Sequence, residues 1–385
     1  MTRGLVLEKD LARELRLGHP WIYRDALAGA AGAPGEIVDV RPRRGDGPIA
    51  RGWFDPDGPI AVRVFAEPGE AVDDDFIRAR VAAAASLRAV ARIDADGLRL
   101  IHGEGDRLPG LVVDAYAGTG VLRCDGAAAA AMWRPRVDAI RAGLADAGFP
   151  LSSLFARGGR DGTGGEWLGE EPTEVLMREG AARYEVDVVR GQKTGFFLDQ
   201  RDNRRRVAEL APGATLLNLF SYTGGFSIAA ALGGARATTS IDSAAPAIEA
   251  ARRNLARNHL GSGHELVVSD VWKYLEAARA GGRRWDIVVC DPPSFAPSAR
   301  VLPRALAAYR DLNRAAAAAV APGGLLVTAS CSSHVTPAAF AAVVAEALAD
   351  RPRARVLESR GAGADHPVLP AFPEGRYLKL LIVAL

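Results

Sequence analysis

From Ala214 onward, short apolar runs alternate with segments long enough to form helices, and this pattern constrains the fold more than any other feature. The runs are Thr215 to Phe220, Ala237 to Ile241, Leu266 to Val268, Trp285 to Val289 and Leu325 to Ala329. Wholly apolar strands with helices between them imply a parallel sheet covered on both faces. A last run, Tyr377 to Val383, is expected to close that sheet as an antiparallel strand. Ligands bind such sheets beyond the carboxyl ends of the strands, so the residues after each run become the candidates for chemistry.

Upstream the pattern changes. Glu36 to Val40, Ile49 to Phe54 and Ile60 to Phe65 are closely spaced and separated by Gly, Pro and Asp, which predicts a small β-barrel. Gly18-His19-Pro20-Trp21-Ile22-Tyr23 reads as its hydrophobic plug. A helix from Asp73 to Ala91 follows. Strands are then expected at Leu98 to His102, Gly110 to Asp114, Gly120 to Cys124, Ser153 to Ala156 and Arg183 to Val189, with a helix over Met132 to Ala147. The fold class is therefore α/β: a Rossmann-like domain at 191–385 with a mostly parallel sheet and an antiparallel last strand, preceded by a barrel at 1–72 and a central α/β domain at 73–190. A chain of 385 residues suits such a division.

No run of about 18 apolar residues exists and the segment up to Pro20 is charged throughout, so neither a membrane span nor a signal peptide is indicated. A cytoplasmic protein is expected. Three scattered cysteines, Cys124, Cys290 and Cys331, are too few for a disulfide framework or a zinc site, and no metal is expected. The net charge of +2 decides nothing about nucleic acid, because binding needs a basic surface and not a basic total.

The ends of the runs carry the unusual residues. Asn218, Phe220, Tyr222, Gly224 and Gly225 mark the first, where paired glycines let backbone approach a ligand. Asp242, with Ser243, follows the second and suits the two hydroxyls of a ribose. Asp270, with Val271, follows the third and is placed for the exocyclic amine of adenine. Three nucleoside-reading loops without a Gly-x-Gly-x-x-Gly phosphate fingerprint suit S-adenosylmethionine better than a dinucleotide.

After the fourth run stands Asp291-Pro292-Pro293-Ser294-Phe295, whose prolines fix the backbone and leave carbonyls and a carboxylate to face a planar, amine-bearing substrate. Ser330-Cys331-Ser332-Ser333-His334 follows the fifth. Cytosine C5 is too weak a nucleophile to take a methyl group directly, and a thiolate added at C6 solves this. A thiol with an ordinary pKa of about 8.5 must be activated, by a nearby sulfonium or by proton uptake at N3 that Asp291 could hold. Cys290 reads as core and His334 as solvated. Upstream of the first run, Phe196 and Phe197 could cover the cofactor and Asp199 joins its site. Arg201 and Arg204 are candidates for phosphate, while Arg205 and Arg206 read as a solvated face.

In order, these segments resemble the bacterial large-subunit rRNA cytosine-C5 methyltransferases that carry an N-terminal PUA domain. The resemblance rests on Gly18-His19-Pro20-Trp21, Glu104-Gly105-Asp106, Leu108-Pro109-Gly110-Leu111, the cofactor loops, Asp291-Pro292-Pro293 and Ser330-Cys331-Ser332. His366-Pro367-Val368 and Pro373-Glu374-Gly375-Arg376-Tyr377-Leu378-Lys379 extend it. It implies a PUA domain, a central domain and a class I methyltransferase domain, 23S rRNA as substrate in free or partly assembled form, and Cys331 as nucleophile. Related C5 enzymes often carry a second cysteine just after the first proline of the fourth-strand motif; here that residue is Pro293. Arg41, Arg43, Arg44 and Arg51 are the expected backbone contacts of the barrel, and a homodimer is compatible. Two alternatives stay open: methylation of a guanine nitrogen or a small molecule, which needs no thiol, and a non-catalytic RNA-binding assembly factor.

Overall fold

The computed structural model describes residues 3–45, 47–158, 164–296 and 298–385. They gather into two compact units. The first holds Met1–Met177, Val186–Leu198 and Ala364–Gly375; the second holds Arg178–Glu185, Asp199–Gly363 and Arg376–Leu385.

The first unit contains a six-stranded sheet in the order Trp21–Tyr23, Ile60–Ala66, Ala50–Phe54, Ile37–Arg41, Arg3–Leu7, Leu27–Ala28. Leu5, Ile22, Val38, Phe54 and Val62 fill its interior. The segment expected to plug the barrel enters a strand, Trp21–Tyr23, paired antiparallel to Ile60–Ala66. Pro20 and Ile22 of that segment are buried, Ile22 within the barrel core. Trp21 is half-buried, its indole N–H donates to Glu104 Oε1 at 2.8 Å, and its ring stands edge-on to Phe372 at 4.5 Å.

A five-stranded sheet follows, in the order Gly165–Leu168, Ser153–Arg157, Thr119–Cys124, Leu111–Tyr116, Gly97–His102. The helix Asp74–Val90 packs on it, started by Asp73, whose carboxylate accepts from the amide of Phe76 at 2.9 Å. The single helix expected over Met132 to Ala147 is two, Ala127–Trp133 and Val137–Asp146, separated by a tight turn at Arg134–Arg136. Pro135 explains the break, because proline cannot donate to the preceding turn and its ring clashes with it. The strand expected over Arg183 to Val189 is shorter, Ala182–Glu185.

Behind the five-stranded sheet lies a buried polar cluster. Arg88 donates to both oxygens of Asp106 at 2.7 Å, and Arg99 to both oxygens of Asp114 at 2.7 and 2.8 Å. The segment Ala364–Gly375 joins them: Arg88 donates to the carbonyl of Asp365 at 2.8 Å, and the backbone amide of Arg99 donates to Asp365 Oδ2 at 3.0 Å. His366 Nδ1 lies 2.9 Å from Asp365 Oδ1, and its ring centroid 4.9 Å from that of His102.

Burial, then the neighbouring His366, Arg99 and Arg88, push His102 well below its ordinary value of 6.5, against a smaller pull from Asp365. The unfolded chain therefore takes up a proton near pH 6.5 that the folded chain resists. The stability this residue contributes is present above pH 6.5 and is lost as the pH falls from 6.5 through its lowered folded value. Urea titrations at pH 7.5 and 5.5 are expected to show that loss, and His102→Gln should reduce the difference.

The second unit is built on a seven-stranded sheet. Its strands are β1 (Thr215–Leu219), β2 (Ala237–Asp242), β3 (His264–Val268), β4 (Trp285–Cys290), β5 (Val320–Ser330), β6 (Arg355–Arg360) and β7 (Lys379–Ala384). The spatial order is β3-β2-β1-β4-β5-β7-β6. The first five run parallel, and β7 is antiparallel to β5 and β6. Leu217, Leu219, Val288 and Leu326 serve one apolar cluster and Leu216, Ile287, Val289 and Val327 another, so alternate residues of the central strands bury both faces. β6 was not expected; it is an edge strand of exposed and half-buried residues. Among the described residues no helix is long and apolar enough to cross a membrane.

Candidate active site

The chain leaves β1 through a tight turn in which Phe220, Tyr222 and Gly224 take positive φ of 58°, 47° and 83°. For the two non-glycine residues this costs on the order of 1 kcal/mol each or more, so the surroundings must hold the turn. They do so through Asp242 at the end of β2. The amide of Tyr222 donates to Asp242 Oδ2 at 2.8 Å and that of Ala244 to Oδ1 at 2.9 Å. A carboxylate oxygen accepts more than one hydrogen bond, so both oxygens retain capacity for ribose hydroxyls. At Gly224 an added Cβ would lie 3.2 Å from that of Ala251, in a conformation that favours glycine.

The hydroxyls of Ser221 and Thr223 are buried in this turn with no hydrogen-bond partner among the described residues. Buried polar groups are nearly always satisfied, and a nucleoside cofactor bearing hydroxyls and an amine fits a turn with such orphans. Asp270 is exposed at the end of β3, where it caps the helix Val271–Ala280 by accepting from the amide of Lys273 at 3.0 Å. Ser243 is exposed and Val271 is buried in the core beneath.

Three further expected cofactor residues have contacts of their own. Asn218 is 1% exposed, and its amide donates to Ser227, which in turn bonds Ser240. Its side chain ties β1 to the helix Gly225–Leu232. Asp199 is buried and accepts from the hydroxyl of Tyr377 at 2.7 Å. Phe197 belongs to the first unit, with Lys193 Nζ 4.4 Å over its ring.

At the end of β4, Asp291 Oδ2 accepts from Gln200 Nε2 at 2.8 Å. Gln200 is aimed by Asn203, and Asn203 accepts from Arg360 on β6 at 3.1 Å. Pro292 is buried, while Pro293 and Ser294 are exposed. At the end of β5, Ser332 is the fixed point. Its hydroxyl lies 2.9 Å from that of Ser294 and 2.8 Å from that of Tyr309, and it accepts from the amide of Ala296 at 3.3 Å. The loop with Cys331 is thereby clamped to the loop with Asp291. Cys331 is half-buried, and His334 is exposed as expected. Burial pushes the Cys290 thiol far up, as a core residue requires.

Behind Cys331 lies Lys379, 4% exposed, whose Nζ donates to the carbonyls of Ser332 at 2.6 Å and Tyr377 at 2.7 Å. Burial brings it down to about 8, and the charge of Cys331 acts the other way. The sequence assigns no role to Gln200, Tyr309, Ser332 or Lys379, although Ser332 and Lys379 stand in the motifs that carry the resemblance. The signal available was that Gln200 and Lys379 sit inside the polar motifs before β1 and at β7.

Of the arginines expected to meet RNA, Arg41, Arg43 and Arg44 are exposed. Arg51 and Arg204 are corrected. Arg51 is 8% exposed and donates to both oxygens of Asp39 at 2.7 and 2.9 Å; Arg204 is 2% exposed and grips both oxygens of Glu179. Arg201 is likewise buried. A guanidinium buried against a carboxylate cannot also neutralise a phosphate.

The strand order, the turn after β1 and the aspartate after β2 define a class I methyltransferase, an enzyme that binds a nucleoside-bearing methyl donor at the carboxyl ends of its strands. The chain belongs to the S-adenosylmethionine-dependent methyltransferase family, which it matches over residues 147–370, and a PUA-like domain matches residues 5–67. It is 39% identical to the ribosomal RNA large subunit methyltransferase of Deinococcus radiodurans, over 99% of this chain and 97% of that one. It is 37% identical to the ribosomal RNA large subunit methyltransferase I of Photobacterium profundum, over 98% of each. Among solved structures, a Streptococcus mutans chain described as a SAM-dependent methyltransferase shares the fold over the full length of both, with a TM-score of 0.87 at 23% identity. S-adenosylmethionine supplies an electrophilic methyl group; Asp242, Asp270 and the turn after β1 are the residues that would hold it.

Proposed function

We propose that this enzyme methylates C5 of a cytosine in large-subunit rRNA, with Cys331 as the nucleophile. The observation that carries the reading is the clamp at Ser332, which fixes the thiol-bearing loop beside the Asp291-Pro292-Pro293 loop at the ends of two adjacent parallel strands. The rRNA substrate is supported by the relatives' names and by the length over which they match.

In the proposed reaction the Cys331 thiolate adds to C6, and a proton taken up at N3 is held by Asp291. C5 becomes enamine-like and takes the methyl group. Loss of the C5 proton and departure of the thiolate restore the 5,6 double bond. Asp291 is oriented for its part by Gln200. A base inside a duplex cannot reach such a crevice, so the target is single-stranded or flipped, in free or partly assembled 23S rRNA. Within this reading 1–72 is an RNA-binding domain, 73–190 a central domain and 191–385 the catalytic domain, with Arg41, Arg43 and Arg44 offered to the RNA backbone.

The test is transfer of a labelled methyl group to protein-free large-subunit rRNA, with the modified nucleoside identified after digestion. The expected product is 5-methylcytidine. Label on a guanine, or on no nucleotide at all, would move the acceptor to another class.

A further inference from the structure

Lys379 opens β7 directly across from Ser330, the last residue of β5 and the neighbour of Cys331. Its ammonium is buried, and its hydrogen bonds go to two backbone carbonyls, one of them that of Ser332. Among the described residues no carboxylate forms an ion pair with it. Burying a cation without a counter-charge is costly, and an apolar side chain would fill the same space without that cost. The ionisable group whose charge acts on Lys379 is Cys331.

We infer that Lys379 is a positioning residue for methyl transfer: anchored on the Ser332 carbonyl, its ammonium is the fixed counter-charge against which the Cys331 thiol ionises. The thiol proton leaves to solvent and the lysine keeps its own. This rests on the reading of Cys331 as nucleophile and says how that nucleophile is activated. Among the described residues, three titratable neighbours of the loop do not supply the charge. Tyr309, from the helix Leu302–Ala318, is held neutral by burial. Asp291, at the end of β4, opposes a thiolate, and His334 points to solvent in the same loop.

The experiment is the pH dependence of Cys331 alkylation by iodoacetamide, followed by peptide mass spectrometry in the full chain. Lys379→Gln, which keeps a donor for the Ser332 carbonyl but no charge, is compared with Lys379→Arg and the native enzyme. In the glutamine variant the alkylation midpoint is expected to move up in pH, lowering the rate at pH 7 by about tenfold, with most of it restored by arginine. Methyl transfer at pH 7 should fall in parallel and recover toward pH 9. An unmoved alkylation profile in Lys379→Gln, or an arginine variant that behaves like the glutamine one, overturns the inference. Alkylation does not require turnover, so it reports on Lys379 even if methyl transfer proves not to need the thiol.

Discussion

Cys331→Ala is expected to reduce methyl transfer to rRNA by about 10³-fold or more, the scale seen when a covalent nucleophile is removed. S-adenosylmethionine affinity, measured by calorimetry, should stay within about twofold. The separation follows from geometry. The residues that would hold the cofactor lie at the ends of β1, β2 and β3, and Ser332 supplies the hydroxyl bonds that clamp the thiol loop. Alanine therefore removes the sulfur and leaves the clamp. A variant that still turns over within tenfold of the native rate would place the acceptor on a nitrogen, where Asp291 and neighbouring carbonyls orient an amine and no adduct forms.

The second large effect concerns stability. Asp106→Ala is expected to destabilise the first unit by about 3–5 kcal/mol, read by urea unfolding at pH 7.5. Arg88 and Asp106 are both shielded from water, and Arg88 has no route to solvent when its partner goes. The carboxylate also accepts from the amide of His102 at 2.6 Å, so that donor is orphaned at the same time. Arg88 would keep its bonds to the carbonyls of Ala84, Arg99 and Asp365, which satisfy hydrogens but do not neutralise charge. Asp106→Asn should cost less, because it restores one acceptor. A loss below about 1 kcal/mol in the alanine variant would mean that water enters the cluster and that the pair is not a structural one.

The strands that bury both faces announced themselves as apolar runs, and the turn after β1 showed in its paired glycines, the first of which takes a positive φ that favours glycine. What stayed hidden was set by partners distant in sequence. Arg51 and Arg204 look like surface cations until Asp39 and Glu179 are brought against them. β6 carries arginine, glutamate and serine because it is an edge, and edges have little apolar signature. Gln200 acquires meaning only beside Asp291, as does Lys379 beside Cys331, and neither proximity is written in local spacing. The break in the helical stretch over Met132 to Ala147 has a local cause, an interior proline that the apolar periodicity masks.

β7 comes last of the seven strands in chain order yet lies inside the sheet, between β5 and β6. The six strands that precede it in the chain leave this slot between β5 and β6 to be filled by Lys379–Ala384. The residue that fills the slot first, opposite Ser330, is the lysine. A nascent chain stopped short of it would carry Cys331 beside a sheet with a gap. The lysine thus takes its place across from Ser330 only when the slot between β5 and β6 is filled, which ties the surroundings of the thiol to the closing of the sheet.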